Sequence, residues 1–157
     1  MRKRIVDPAL KDPSFADQEW LDLERLAEVE VTSEDAAFPV ESALVPGGWP
    51  GWRAEKPGEQ TLRLLFSEPL RLRRILLEFQ EDARGRTQEF VLRWSADRGE
   101  TFREIVRQQF NFSPPGTARE VENFLVDLPD MSALELRIVP DIDGGDANAS
   151  LRSLRLA

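Results

Sequence analysis

The sequence contains no cysteine, no histidine and no tyrosine. Without cysteine, the chain has no disulfide, no thiolate nucleophile and no sulfur ligand for a metal ion. Without histidine, it lacks the commonest general base and the commonest metal ligand. A catalytic site would have to use carboxylates, lysine, serine or threonine, and no serine has a histidine to activate it. We therefore expect a protein that is not an enzyme and that requires no cofactor.

The chain also lacks an excess of basic residues and any long apolar run. Its formal net charge is -8 at pH 7, and its isoelectric point is about 4.7. A duplex-binding protein normally displays a basic stripe that releases counterions from phosphate, so nucleic acid is not an expected partner. No apolar run follows the basic start Met1-Arg2-Lys3-Arg4, and no segment is apolar over enough residues to span a bilayer. We expect a cytoplasmic protein with no membrane partner.

The 157 residues include 41% hydrophobic and 32% charged ones, as is ordinary for one globular domain. Apolar and polar residues alternate in short segments, which is the period of half-buried β-strands. The predicted strands cover residues 28–32, 62–66, 75–79, 90–94, 102–110, 120–126, 134–139 and 151–156. Turn signals such as Glu68-Pro69, Asp97-Arg98-Gly99 and Pro129-Asp130 separate them. This spacing predicts an all-β fold, an antiparallel β-sandwich of the jelly-roll type with about eight strands.

Residues 1–25 form a predicted irregular N-terminal extension, and residues 26–157 form the predicted sandwich domain. Within the extension, Asp7-Pro8 and Asp12-Pro13 are turn signals, and Ser14 is a candidate cap for a short helix through Asp17–Trp20. In the domain, the alternation of Phe90, Leu92 and Trp94 predicts one face of a strand. We expect Trp94 and Phe102 both to lie in the core, on either side of a hairpin turn at Asp97–Gly99.

Four stretches resemble the discoidin family, the coagulation factor 5/8 type C domains of the galactose-binding-like β-sandwiches. They are residues 32–44 with Trp49 or Trp52 after them, residues 60–75 with their Glu-Pro turn, residues 90–102, and the closing residues 149–156. The resemblance covers residues 26–157 and implies a jelly-roll sandwich with a non-catalytic binding function, most often for carbohydrate. The family's extracellular members often join their termini by a disulfide, which this chain cannot form.

The Trp49-Pro50-Gly51-Trp52-Arg53 stretch is the most suggestive candidate for a binding site. Two tryptophans in a loop rich in Gly and Pro could present flat faces to a sugar ring, with Arg53 supplying planar donors. Binding residues concentrate in loops on rigid scaffolds. Alternatively, one tryptophan fills the end of the sandwich core and the other shields it.

Two further segments contribute candidate ligand-binding residues. Arg84 and Arg86 flank a glycine at a predicted hairpin tip, where they could grip an anionic group or form local ion pairs with Glu81 and Asp82. In residues 108–116, Phe110 and Phe112 should point to one face of a strand and Asn111 to the other. These residues could form a recognition lip, or the two rings could cap the core while Asn111 fixes the turn.

One acidic loop is a weak candidate for a metal site. Asp141, Asp143, Asp146 and Asn148 bring four oxygen-bearing side chains together, which suits a hard cation such as Ca²⁺. The spacing matches a calcium loop only in part, because no glutamate closes it, and acidic Gly-rich turns are common. We therefore expect no metal here.

Two functions from different classes remain open at this point. The first is a carbohydrate-binding module whose site comprises Trp49, Trp52, Arg53, Arg84, Arg86, Phe110, Asn111 and Phe112. The alternative is an intracellular protein–protein interaction module on the same fold, whose aromatic loops anchor a partner protein. For either function, we expect loops 46–53, 81–87 and 110–117 to lie at one end of the sandwich, with Trp49 or Trp52 exposed there.

Overall fold

The computed structural model of this protein describes Lys3 and residues 20–157. The described residues form two one-turn helices and eight strands, which confirms the all-β prediction. The helices are α1 (Leu23–Leu26) and α2 (Glu41–Leu44). The strands are β1 (Ala27–Val31), β2 (Trp52–Pro57), β3 (Gln60–Gln80), β4 (Arg86–Ser95), β5 (Arg103–Phe112), β6 (Arg119–Val139), β7 (Asn148–Leu151) and β8 (Ser153–Leu156).

The two longest strands, β3 and β6, pair antiparallel from Gln60 opposite Ile138 to Gln80 opposite Arg119. The first half of β3 and the second half of β6 belong to one layer, which β1, β4 and β5 complete in the order β1-β3-β6-β4-β5. The second half of β3 and the first half of β6 run in the other layer, where β8 also pairs with β3. A separate antiparallel pair joins β2 to β7.

Two predicted turns are wrong, because Glu68-Pro69 lies inside β3 and Pro129-Asp130 lies inside β6. The register of the β3–β6 pair shifts three times between Leu65 and Arg74. Such bulges bend a strand without ending it, and an interrupted ladder tolerates a proline that cannot donate a hydrogen bond. Both strands therefore cross from one layer to the other at the bend. The first and last residues of each strand lie together at the end of the sandwich that is opposite the bend.

A single hydrophobic cluster fills the space between the layers. The alternation Leu62, Leu64, Phe66 is buried as predicted. The rings of Phe79 and Phe90 stack with their centroids 5.3 Å apart. Other buried members of the cluster are Trp52, Leu72, Ile75, Leu77, Leu92, Phe112, Met131, Leu134, Leu136, Ile138, Leu151, Leu154 and Leu156.

The Asp97–Gly99 turn joins β4 and β5 as predicted, but the prediction that Phe102 lies in the core is wrong. Phe102 precedes the first residue of β5, so strand alternation does not direct its side chain inward. Its ring instead lies against the guanidinium groups of Arg63 and Arg93, at 5.1 and 4.8 Å from the ring centroid. Trp94 is only half-buried and packs against the rim of the core.

Beneath Phe102, a charged ladder crosses the outer face of the sheet. Glu135 lies opposite both Arg63 and Arg93 in the strand register. Its carboxylate accepts hydrogen bonds from the Nε atoms of Arg63 at 2.7 Å and Arg93 at 2.8 Å. Burial raises the pKa of Glu135, but the hydrogen bonds and positive charges of Arg93 and Arg63 together outweigh it, so the pKa lies below its usual range.

The predicted helix between Ser14 and Trp20 lies outside the described residues, except for Trp20 itself. The chain already packs on the sandwich before residue 26, because Leu23 is buried and the Leu21 amide donates to the Leu156 carbonyl at 2.8 Å. The boundary at residue 25 stays a prediction. In the described part of the chain, no helix is long and apolar enough to cross a membrane.

Two neighbouring tryptophans provide a test of the packing. Trp52 is 2% exposed, whereas Trp49 is 73% exposed. Trp52→Ala should reduce the free energy of unfolding by about 3–5 kcal/mol, because a large buried ring leaves a cavity. Trp49→Ala should change it by less than about 0.5 kcal/mol, as is usual at the surface. Denaturant unfolding followed by circular dichroism measures both values, and equal losses for the two variants would contradict the assigned burial.

A second test concerns Glu120, which is buried on β6 and accepts a hydrogen bond from Gln88 at 3.3 Å. Its pKa is raised to about 8, first because burial disfavours the charged form, and then because the charge of Glu122 and a hydrogen bond to it also favour protonation. The folded protein thus keeps a proton that the unfolded chain releases near pH 4.5. Stability should therefore fall as the pH rises from about 4.5 to about 8.

The Glu120→Gln variant should lose this decline, since a neutral amide does not titrate. The chain contains no histidine, so no side chain of ordinary pKa titrates in the upper part of this window, between about pH 6 and pH 8. Glu100→Gln, in the exposed β4–β5 turn, is the matched control and should keep the wild-type profile. Thermal melts across the window measure the effect, and a Glu120→Gln profile as steep as the wild type would refute the assignment.

Candidate functional site

Four loops meet at the end of the sandwich opposite the bend. They are the β1–β2 connection (32–51), the β3–β4 loop (81–85), the β5–β6 loop (113–118) and the β6–β7 loop (140–147). Arg84 donates to the carboxylate of Asp146 at 2.8 Å, and the Glu81 amide donates to the Ala118 carbonyl at 2.8 Å. The prediction that loops 46–53, 81–87 and 110–117 share one end is confirmed.

Two adjoining clefts open between these loops. The larger, about 370 Å³, lies between the β3–β4 and β6–β7 loops, and the smaller, about 150 Å³, lies beside Trp49. Both are lined by Arg53, Gln80, Asp82 and Ser150. The larger cleft is at the small end of the range of about 300–1,000 Å³ typical of ligand pockets. Together the clefts form a continuous groove with an aromatic wall at one end and charged groups at the other.

Trp49 forms the aromatic wall, and its position is fixed by the glycines on either side. A side chain at Gly48 would collide with the backbone carbonyl of Ser42. At Gly51, which has φ of 95°, a Cβ atom would lie 2.7 Å from the Leu151 carbonyl oxygen. The amide of Gly51 also donates to the hydroxyl of Ser42 at 2.7 Å. The sequence Gly-Trp-Pro-Gly therefore holds an exposed indole on a tightly packed backbone.

Two arginines from the end of the chain support this loop from below. Arg152 donates to the Gly48 carbonyl at 2.7 Å, and its guanidinium lies 4.5 Å from the centroid of a Trp49 ring. Arg155 donates to the carbonyls of Ala43 at 3.3 Å and Val45 at 2.7 Å, at the end of α2. These contacts orient the Trp49 ring before any ligand arrives, which lowers the ordering cost of binding.

The polar wall of the groove combines one arginine, one amide and one carboxylate. Arg53 lies at the junction of the two clefts, and its guanidinium is 4.6 Å from the ring centroid of Phe38. The amide nitrogen of Gln80 donates to the carboxylate of Asp82 at 3.1 Å. Gln80 ends β3 and Asp82 follows two residues later, so the strand end sets the position of both.

Ion pairs order the far end of the groove. The hydrogen bond from Arg84 holds the pKa of the Asp146 carboxyl below its usual range. Glu81 is half-buried next to Arg86. Burial raises the pKa of Glu81, but the hydrogen bond and charge of Arg86, together with hydrogen bonds from the Ala83 and Arg84 amides, lower it by more. Both carboxylates are therefore charged at neutral pH and fix their loops.

Of the eight ligand-binding residues predicted, Trp49, Trp52, Arg53 and Arg84 line the groove. Trp52 borders only the smaller cleft, and it is 2% exposed, because it begins β2 with its ring directed into the core and donates its indole N–H to the Ser33 carbonyl at 3.1 Å. Two of the eight do not reach the groove, and for these the prediction is corrected. Arg86 and Phe112 face each other inside the sandwich, with the guanidinium 4.7 Å from the ring centroid.

The remaining two residues have the predicted orientations, but they do not line the groove. Phe110 is half-buried and packs edge-on against Phe112, with centroids 5.0 Å apart. Asn111 is exposed on the other face of β5 and accepts a hydrogen bond from the Thr87 hydroxyl at 2.5 Å. This segment therefore fits the alternative given above, in which the two rings cap the core and Asn111 has a structural role, better than it fits a recognition lip.

The acidic loop does not gather its oxygens around one point. Asp146 pairs with Arg84, and the Asp141 carboxylate accepts from the Asp143 amide at 3.1 Å. Asn148 donates its amide to the carbonyls of Ala54 and Glu55. In the described part of the chain, no group of three or more acidic side chains could hold a metal ion.

The sequence interpretation missed the groove residues Phe38, Gln80, Asp82, Ser150 and Arg152. For Gln80 and Asp82, the sequence feature that could have predicted a place in the groove was their position beside a Gly-containing loop. For Arg152 the sequence contains no such feature, because its contact with Gly48 joins residues 104 positions apart. Only the three-dimensional closure of the sandwich brings these segments together.

Comparison with solved structures identifies molecules of the same architecture. The chain is similar to chitosan-binding module 1 of a chitosanase/glucanase from Paenibacillus sp. IK-5, with a TM-score of 0.62, 13% identity, and coverage of 86% of this chain and 97% of that one. It is also similar to the family 32 carbohydrate-binding module of Clostridium perfringens NanJ in complex with galactose, with a TM-score of 0.60, 15% identity, and coverage of 83% and 92%. The chain has the fold of these carbohydrate-binding modules.

The resemblance to the discoidin-like sandwiches is thus confirmed at the level of fold. A third similar structure is XRCC1 bound to the catalytic domain of DNA polymerase β, with a TM-score of 0.62, 17% identity, and coverage of 85% of this chain and 96% of that one. No protein-family model and no curated protein sequence matches the chain.

A chelator provides the test for the acidic loop. Because Asp146 is neutralised by Arg84 rather than by a cation, removing divalent ions should leave the melting temperature unchanged. Differential scanning calorimetry with and without EDTA, and with added Ca²⁺, measures this. A drop of several degrees on adding EDTA, reversed by Ca²⁺, would mean that a cation is bound and that the prediction of no metal is wrong.

Proposed function

We propose that this domain is a non-catalytic carbohydrate-binding module whose ligand occupies the groove beside Trp49. The observation that carries the proposal is the 73% exposure of Trp49 on a rigid loop next to a polar cleft. A tryptophan is a costly residue to expose, since its burial would normally stabilise the fold. An indole face held out in this way suits an apolar surface of similar size, such as the C–H face of a pyranose ring.

The polar wall supplies the second element of sugar recognition. Sugar hydroxyls both donate and accept hydrogen bonds, so a site for them needs both kinds of partner. Arg53 offers planar N–H donors, the carboxylate of Asp82 accepts, and the amide of Gln80 does both. The groove therefore supports binding of a neutral or weakly basic sugar more strongly than binding of an anionic one, because Asp35, Asp82 and Asp146 also line it.

In this proposal, the groove holds a glycan and does not cleave it. Its arginines are paired or packed on rings, and the chain has neither a histidine nor a cysteine to act as base or nucleophile. The similarity to carbohydrate-binding modules supports a role in holding a glycan rather than hydrolysing it. The polar side chains of the groove act by orienting the sugar against Trp49.

A glycan array followed by titration calorimetry tests the proposal. The wild-type domain should bind at least one class of glycan. Trp49→Ala should weaken that binding by at least about tenfold, because truncating an anchoring aromatic residue typically reduces the binding free energy by about 2 kcal/mol or more. Arg152→Gln should weaken it less, because the Trp49 ring is present but no longer oriented.

Phe102→Ala is the matched control, because Phe102 is also an aromatic ring packed on arginines but lies at the opposite end of the sandwich. It should leave glycan affinity unchanged. The proposal fails if no glycan on the array is bound. It also fails if Trp49→Ala keeps wild-type affinity for a glycan that does bind.

A further inference from the structure

Among the described residues, none pairs with one hydrogen-bonding edge of the first half of β6. Residues Arg119–Leu125 pair with β3 on one side, whereas β4 pairs with β6 only from Ala133 to Val139. In the part of the chain that the structure describes, no strand pairs with the other side of Arg119–Leu125. Every second residue of such an edge directs its backbone N–H and C=O groups outward, where they can template another strand.

Apolar side chains mark the outer face of this edge. Leu125 is 79% exposed and Val121 is 47% exposed, and they are two of the four large hydrophobic side chains exposed among the described residues. Asn123 lies between them on the same face. The other long edge strand, β5, differs because it exposes Arg103, Glu104 and Arg107. Charged residues of this kind protect an edge from pairing, whereas the centre of the β6 edge, residues 121–125, exposes only Val121, Asn123 and Leu125.

The sequence of the edge is complementary to itself. When two copies run antiparallel about Asn123, Val121 of each copy lies opposite Leu125 of the other. In the same register, Arg119 lies opposite Asp127. Their side chains are each 63% exposed, so they can reach across a new pairing while keeping their intramolecular partners, Glu78 and Arg71. Apolar and opposite-charge cross-strand pairs both stabilise an antiparallel ladder.

We propose that two copies of this chain associate through the first half of β6, in an antiparallel pairing centred on Asn123. A two-fold axis requires an interface that is complementary to itself, and this edge meets that requirement in hydrogen bonding, apolar pairing and charge. The charge order fits a second copy as the occupant, since the positive and negative ends match when the same sequence is reversed. The pairing extends the sheet of one copy into that of the other.

The dimer should be weak. The nine residues from Arg119 to Asp127 span about 30 Å at the rise of about 3.4 Å per residue in an antiparallel strand. Such a strip, without a large apolar surface beneath it, resembles the smaller transient interfaces rather than the obligate ones. We therefore expect a concentration-dependent equilibrium between monomer and dimer.

Charge reversal in two separate variants tests the register, and mixing the two variants controls for any effect of either substitution on folding. Arg119→Asp places an aspartate opposite Asp127 twice in its own homodimer, and Asp127→Arg places an arginine opposite Arg119 twice. Each variant alone should dimerise at least about tenfold more weakly than the wild type, because opposed like charges are repulsive. An equimolar mixture of the two restores both opposite-charge pairs, so it should associate as a heterodimer. Sedimentation velocity over a concentration series measures all three samples.

Arg107→Asp is the matched control, since it reverses the same charge on the exposed edge strand β5 and should dimerise like the wild type. A wild-type chain that stays monomeric at millimolar concentration would overturn the proposal. Single variants that dimerise like the wild type, or a mixture that does not associate, would overturn the register. The experiment contains no carbohydrate, so its outcome is independent of the proposed binding function.

Discussion

The continuous antiparallel pairing of β3 with β6 is the constraint on which the rest of the structure depends. Each strand carries large apolar residues on its inner face in both layers, so one ladder supplies much of both walls of the core. Because both strands bend at the register shifts, their four ends return to one end of the sandwich. The loops that follow Gln80 and Val139, and the loop that precedes Arg119, are thereby brought together. The position of the groove is a consequence of where the two strands bend.

Periodicity predicted the inward-facing residues well, because burial of one face is a local property of a strand. It identified Leu62, Leu64 and Phe66 correctly, but it could not distinguish a bulge at Pro69 from a turn, since both use the same residues. The groove was predicted only where aromatic and glycine residues cluster in sequence, as around Trp49. Arg152 and Gln80 reach the groove through pairing between distant segments, and a single sequence does not record such contacts. Whether an aromatic ring faces solvent or core, which separates Trp49 from Trp52, likewise depends on packing from the other layer.

The fold by itself leaves the ligand open. Chitosan-binding and galactose-bound modules share this architecture with XRCC1, which was solved with a protein partner. What distinguishes this chain is a single exposed indole held by Gly48, Gly51 and Arg152 beside a small polar cleft. That arrangement favours a compact ligand with one flat apolar face and several hydroxyl groups over a broad protein surface, for which a groove of this size gives little contact area.

Because the tryptophans differ in exposure, the intrinsic fluorescence of the domain should report a ligand bound in the groove. Indole emission shifts to shorter wavelength and changes in intensity when water is displaced from the ring. Trp52 is already shielded within the core, and Trp94 is half-covered at the opposite end of the sandwich. Trp49 alone combines high exposure with a place in the groove. A molecule that settles there should therefore change the intrinsic fluorescence mainly through one residue, and the optical signal should follow occupancy of the groove without any added label.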